Sequence, residues 1–77
     1  MENKDWKKLK KWVIWNIETD LQNFTYPIIN KVTEKNIKKA IEQNKWAEEE
    51  GDSCDYSELQ SLKEDLEIFR IINERRL

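Results

Sequence analysis

The side chains that most often perform catalysis are scarce in this chain of 77 residues. Histidine, the commonest general base, is absent, and a single glycine excludes a glycine-rich phosphate loop. The one cysteine, Cys54, stands between Asp52 and Asp55, whose charges disfavour the reactive thiolate. A zinc site would lack ligands in such a composition. We therefore predict no enzymatic activity and no metal or cofactor, and we interpret Cys54 as an ordinary loop residue.

Carboxylates are the one reactive group present in abundance, and many of them form an acidic patch along one stretch of the chain. Its members are Glu48, Glu49, Glu50, Asp52, Asp55 and Glu58. Acid–base chemistry would need a pocket that separates two carboxyl pKa values, and so small a domain has little room for one. A calcium loop is disfavoured because no glycine stands at the sixth place from Asp52. Two interpretations stay open: solvated acids that favour the start of a helix, or a surface that meets a basic partner or imitates nucleic-acid phosphates.

The length and cysteine content limit the class of protein. Residues 1–77 suffice for one domain, near the lower limit for independent folding. A lone cysteine excludes an intrachain disulfide and favours a reducing compartment, so we predict a cytoplasmic location. No apolar run approaches the roughly 18–20 residues of a membrane span, and the charged start is unlike a secretory signal. Because a core of this size supplies only about 3–5 kcal/mol, association would be a useful source of further stability.

The elements that must carry these side chains are predicted to be helices, because glycine and proline occur only once each. The first helix is expected from about Lys4 to Asn23, with Asn3 as its cap. Its core stripe follows from a spacing of about 100° per residue. The stripe consists of Trp6, Leu9, Val13, Ile17, Leu21 and Phe24.

A second helix is predicted from Pro27 to Glu50, with proline at its first position and a break near Thr33 left open. Gly51 then ends it. The third helix is capped by Asp55 or Ser57, with a capping box over residues 57–60, and runs to about Arg75. Its apolar seam is formed by Leu59, Leu62, Leu66 and Phe69. Three helices with short connections predict an all-α, antiparallel three-helix bundle.

Two tryptophans lie on the first helix away from its core stripe. Trp15 projects about 180° from Trp6, and Trp12 lies about 60° from Trp15. A basic patch of Lys4, Lys8 and Lys11 occupies the same outer face. This arrangement is typical of a binding surface, but both tryptophans would be core residues if the helix were covered on both sides. Lysines and indoles also suit nucleic acid, although a pI near 5.2 disfavours that interpretation.

The end of the third helix carries more apolar side chains than its seam requires. Ile68, Ile71 and Ile72 join Phe69 there, and monomers seldom expose such groups without a reason. They either widen the core, meet the outer side of the first helix, or meet another chain.

The two parts of the chain differ in net charge. Residues 1–45 carry ten lysines and six acids, whereas residues 46–77 carry four basic and ten acidic side chains. Opposite charges on the two parts allow head-to-tail self-association that salt would weaken.

We predict a small intracellular protein-binding module of adaptor or inhibitor type that self-associates through apolar patches on helices one and three. The expected contact residues are Trp12, Trp15, Ile68, Ile71 and Ile72. The alternatives are a nucleic-acid-associated regulator that uses the Lys/Trp face of helix one, an acidic mimic of nucleic acid, and a purely structural oligomer. No membrane partner is expected.

Overall fold

The structure is a computed structural model that describes residues 3–75, and of Asn3 only the backbone. Three α-helices occupy most of this range: α1 (Asn3–Phe24), α2 (Glu34–Gln43) and α3 (Ser53–Glu74). A short 3₁₀ helix, Lys45–Glu48, lies between α2 and α3. No strand occurs among the described residues. The predicted all-α three-helix bundle is confirmed. The predicted cap of the first helix is not seen as such, because Asn3 is already helical and residues 1–2 lie outside the described range.

The core lies where all three helices meet. Its fully buried cluster draws on each of them: Ile17, Leu21, Ile37, Ala40 and Leu62. Around it pack partly buried side chains: Val13, Phe24, Ile29, Val32, Ile41, Leu66 and Phe69. The predicted stripe of α1 and seam of α3 are therefore correct over the middle of the bundle. Towards the start of α1 the stripe leaves the core, and Leu9 is exposed.

The connection between α1 and α2 differs from the prediction of a helix that begins at Pro27. Residues 25–33 are not helical, and the Tyr26–Pro27 peptide bond is cis. Hydrogen bonds to side chains satisfy the backbone N–H and carbonyl groups of this segment instead. Gln43 accepts a hydrogen bond from the Tyr26 N–H at 2.9 Å and donates one to the Tyr26 carbonyl at 3.0 Å. The Thr25 hydroxyl accepts from the Ile29 N–H at 3.1 Å.

The break near Thr33, which the sequence left open, is the true start of α2. Thr33 is the N-cap, and its hydroxyl oxygen accepts a hydrogen bond from the Asn36 N–H at 3.1 Å. Ile29 and Val32 still pack on the core from the non-helical segment. Their apolar spacing was therefore informative about burial, even though it was wrong about helical conformation.

The start of α3 also differs from the prediction. Asp52 caps it, in place of Asp55 or Ser57, and Asp52 and Asp55 form a reciprocal capping box. Gly51 precedes this cap, and its φ angle is not positive. A Cβ atom there would lie 2.7 Å from the Asp55 Cβ and 2.8 Å from the Ala47 Cα. The glycine is needed for a close approach of chain segments and not for a left-handed helix end.

A difference in helix length positions the candidate site. Both α1 and α3 contain 22 residues, about 33 Å of helix, whereas α2 contains 10, about 15 Å. The first residue of α2, Glu34, bonds to Arg70 of α3, where Nε lies 2.6 Å from Oε1. Only the last turn of α3, residues 71–74, lies beyond this contact, and the start of α1 lies beside it.

Candidate protein-binding groove

A groove opens between α1 and α3 at the end of the bundle that α2 does not reach. It has a volume of about 230 Å³ and is lined by Trp6, Leu9, Lys10, Val13, Ile68, Ile71 and Ile72. The start of α1 meets the end of α3 here, so these two helices run antiparallel. Apart from Lys10, every lining residue is apolar, which makes the groove a continuation of the core stripe of α1 that remains open to solvent.

The isoleucines of α3 divide between the wall and the floor of this groove. Ile68 and Ile71 are exposed over 40% and 43% of their surface, as expected for a binding surface. Ile72 is only 5% exposed, so its predicted role as a surface contact needs correction: it is a core residue at the floor. All three face the core stripe of α1 and not its outer side, because they share the groove with Trp6 and Val13.

The groove suits apolar side chains better than a small organic ligand. Ligand pockets usually span about 300–1,000 Å³ and contain several polar groups that orient the ligand. This groove is smaller, and its lining contains no carboxyl, hydroxyl or thiol group. A cavity of about 150 Å³ can hold one benzene ring, so the groove has room for about one or two large side chains. The indole N–H of Trp6 is buried, and no acceptor among residues 3–75 reaches it.

Trp12 and Trp15 are both exposed over 62% of their surface, so the interpretation of these residues as core is wrong. Trp12 lines a shallow depression with Asp5, Lys8 and Leu9. Because Leu9 also lines the groove, the apolar surface continues from the groove onto Trp12. Trp15 lines neither feature. The predicted contact residues therefore do not form one surface. The isoleucines of α3 line the groove, Trp12 lies at its margin, and Trp15 lies apart from it.

The predicted basic patch is also divided. Lys4, Lys8 and Lys11 are all exposed. Lys8 borders the Trp12 depression, whereas Lys11 lies with Lys7, Lys10 and Ile14 along another depression on α1. Lys10 lines both this depression and the groove. The lysines thus lie on the α1 side of the groove, where Lys10 lines it, and they do not form a single basic strip beside the tryptophans.

The acidic patch is partly used to stabilise the fold. The Asp52 side chain accepts from the Asp55 N–H at 3.0 Å, and the Asp55 side chain accepts from the Asp52 N–H at 3.2 Å. Glu48 forms a hydrogen-bonded ion pair with Lys63, which holds the pKa of Glu48 below its usual value. No group of three potential metal-binding acids, thiols or imidazoles occurs within the described range. These contacts support helix-start acids for Asp52 and Asp55, while Glu49 and Glu50 remain exposed.

A pair of carboxyl groups, Asp20 of α1 and Asp65 of α3, was not predicted from the sequence. Burial of Asp65 has the largest effect on its pKa, followed by a hydrogen bond to Asp20 and by the charges of Asp20 and Glu64. Together they raise the pKa of Asp65 to about 8. Its Oδ2 atom is buried, and no N–H donor among the described residues reaches it.

The sequence did contain a signal for this pair. On a helical projection Asp65 lies about 60° from Leu62, and Asp20 lies about 20° from Val13. Both acids therefore fall within the apolar arc of their helix, where an isolated carboxylate is costly.

Comparison of the chain with protein families, with curated proteins and with solved structures finds no match. No helix within residues 3–75 is long and apolar enough to cross a bilayer.

Proposed function

We propose that this chain is a small protein-binding module of adaptor or inhibitor type, and that the groove between α1 and α3 is its binding surface. The observation that carries this proposal is the exposure of Ile68 and Ile71 beside the apolar wall of α1. Groups of this kind are seldom left in water on a monomer without a partner. A single exposed thiol, Cys54, suits a reducing compartment, so we place the module inside the cell.

The physical gain from a partner would come mainly from removing this apolar surface from water. Burial contributes roughly 25 cal/mol for each Å² of apolar area, and large side chains at the centre of an interface dominate its energy. Leu9 and Ile71 lie on opposite helices of the groove, and Trp12 extends the surface to one side. An apolar helix face that fills the position α2 leaves empty would meet all of them.

The proposal can be tested by selecting helical peptides from a displayed library against the wild-type chain. We expect selected peptides to bind the wild type and to lose at least about tenfold in affinity for Ile71→Glu, since a charge would replace a central apolar contact. Ile28→Glu is the matched control, because Ile28 is exposed in the connection before α2 and outside the groove. Failure to select any binder, or binders that tolerate both changes equally, would contradict the proposal.

Nucleic-acid binding is the second candidate function, because Trp12 and Trp15 are exposed on a helix that also exposes Lys8 and Lys11. Indoles can stack on unpaired bases, and lysines can neutralise phosphates. A gel shift with single- and double-stranded DNA at low and at physiological salt tests it. Binding should be lost in a Lys8→Glu/Lys11→Glu variant and kept in the matched α2 variant Lys35→Glu/Lys39→Glu. Absence of binding at low salt removes this candidate.

The acidic patch gives weaker support to a mimic of nucleic acid. Asp52 and Asp55 are engaged at the start of α3, and Glu48 is paired with Lys63. A row of free phosphate-like charges would require more of these carboxylates to face solvent without partners.

A further inference from the structure

The two ends of the bundle carry opposite charge. At the groove end, residues 4–14 contain five lysines and one aspartate, and the charges of residues 67–75 cancel. At the other end, residues 42–58 contain seven acids and one lysine. The α1 side of the apolar groove is therefore basic, and the complementary charge lies at the far end of the same chain. Such complementarity orients association and suppresses wrong pairings.

The acidic end also carries an exposed aromatic side chain that could enter an apolar groove. Trp46 lies in the 3₁₀ helix and is 48% exposed. Its carbonyl oxygen accepts hydrogen bonds from the N–H groups of Glu49 at 3.2 Å and Glu50 at 2.9 Å. Those bonds hold the backbone of two exposed carboxylate residues close to the backbone of Trp46. Tryptophan is the residue most often found as an interface anchor, together with tyrosine and arginine.

Trp46 cannot reach the groove of its own chain. The 3₁₀ helix packs against the first half of α3, where Glu48 pairs with Lys63 and Gly51 lies against Asp55. Asp55 and Ile71 are separated by sixteen residues of continuous helix, about 24 Å. Any contact between this indole and the groove must therefore join two molecules.

We propose that the occupant of the groove is the acidic end of a second copy of this chain, with Trp46 as the anchor. This inference rests on the proposed function of the groove and names its partner. Glu49 and Glu50 of one copy then face the lysines of α1 on the other. Pairing of two grooves with each other is disfavoured, because it would bring two lysine-rich α1 helices together.

Sedimentation equilibrium of the full chain tests the contact. The wild-type mass should rise with concentration in low salt, and added salt should reduce the association because it screens the charged margin. Trp46→Ala and Ile71→Glu should each weaken association about tenfold or more. Trp15→Ala is the matched control, since Trp15 is an exposed tryptophan outside both the groove and the acidic end and should leave association unchanged.

Mixing the two defective variants gives the sharpest result. Trp46→Ala keeps an intact groove and Ile71→Glu keeps an intact anchor, so an equimolar mixture should form a complex of one chain of each. A Glu49→Lys/Glu50→Lys variant replaces Trp46→Ala if circular dichroism shows that the latter is unfolded. A mixture of folded variants that stays monomeric, or variants that associate like the wild type, would overturn the inference.

The outcome also distinguishes this inference from the proposed function. A wild-type chain that remains monomeric but binds selected helical peptides through Ile71 would refute the second copy as occupant and leave the binding groove intact. A chain that is monomeric and yields no groove-dependent peptide would refute both.

Discussion

The middle of the bundle and its groove end contain similar apolar side chains in different surroundings. In the middle, α2 covers α1 and α3, and Leu21 and Leu62 are completely buried. At the groove end, α2 begins only at the level of Arg70, and Leu9, Ile68 and Ile71 remain exposed. The same helical spacing of apolar residues thus produces a core where three elements meet and an open apolar groove where only two do. The extent of α2 and the face of α3 on which a residue lies both contribute to this difference, since Ile68 is exposed although it precedes Arg70.

The largest expected change in stability comes from shortening a buried side chain in the region that α2 covers. Leu62→Ala should lower the free energy of unfolding by about 2–5 kcal/mol, because it removes buried contacts and leaves a cavity. Ile71→Ala should cost well under half of that, since much of its side chain is already in water. Urea unfolding, monitored by circular dichroism, gives the unfolding free energy of both variants. Equal losses at the two positions would contradict the distinction between covered and open regions.

The carboxyl pair between α1 and α3 should give the next largest effect, and with the opposite sign. Asp65 holds its proton in the folded chain up to a pKa of about 8, whereas in the unfolded chain it ionises near the ordinary value of 3.8. Between these values the folded state binds more protons, so the contribution of Asp65 to stability falls as pH rises from about 4 to about 8. Asp65→Asn removes this loss and should stabilise the chain at neutral pH by about 1–3 kcal/mol, allowing for its half-buried position.

The measurement is the difference in unfolding free energy between Asp65→Asn and wild type over this pH range, which should grow with pH. Glu34 and Glu48 act in the other direction, because ion pairs lower the pKa of each and their contributions are lost in acid. They are common to both proteins and cancel in the difference. A difference that does not change with pH would show that Asp65 is not protonated in the folded chain.

A smaller loss of stability is expected from a substitution in the turn before α3. Gly51→Ala would place a Cβ within 2.8 Å of the Ala47 backbone, so chain segments must move apart. We expect destabilisation of about 1–3 kcal/mol, typical of overpacking. Because this end is far from the groove, peptide binding should be unchanged. Thermal melting and a peptide titration of the same sample measure both, and a Gly51→Ala variant as stable as wild type would refute the close approach.

The smallest effect concerns the start of α2. Thr33→Ala removes the hydroxyl that accepts the Asn36 N–H and should cost about 1 kcal/mol. Thr33→Ser keeps the hydroxyl and serves as the control. If both variants have the same melting temperature as the wild type, the Thr33 cap does not determine where α2 begins.

The sequence predicted features that depend on many residues at once. The period of apolar residues along α1 and α3 predicted two helices and their core faces, and Thr33 marked a break. Features that depend on one long-range contact were missed. The bonds between Gln43 and Tyr26 cross 17 positions and stabilise a non-helical segment around Pro27, although proline suits a helix start by local preference alone.

The groove could be predicted only in part for the same reason. The spacing of the sequence placed Trp12 and Trp15 away from the core stripe and showed the excess of isoleucines on α3, but it left open whether the tryptophans are core or exposed. That Ile68 and Ile71 lie beside Leu9 and not beside Trp15 depends on how α1 and α3 pack, which no local pattern specifies.

The central claim is that partners bind in the open groove between α1 and α3, and isoleucine methyl NMR tests it most directly. On addition of a selected helical peptide, or on raising the concentration of the chain itself, the methyl signals of Ile68, Ile71 and Ile72 should shift. On addition of the peptide, the signals of Ile28, which is exposed outside the groove, and of Ile37, a buried residue of α2, should stay in place. Binding that shifts Ile28 or Ile37 and leaves the three groove signals unchanged would contradict the claim.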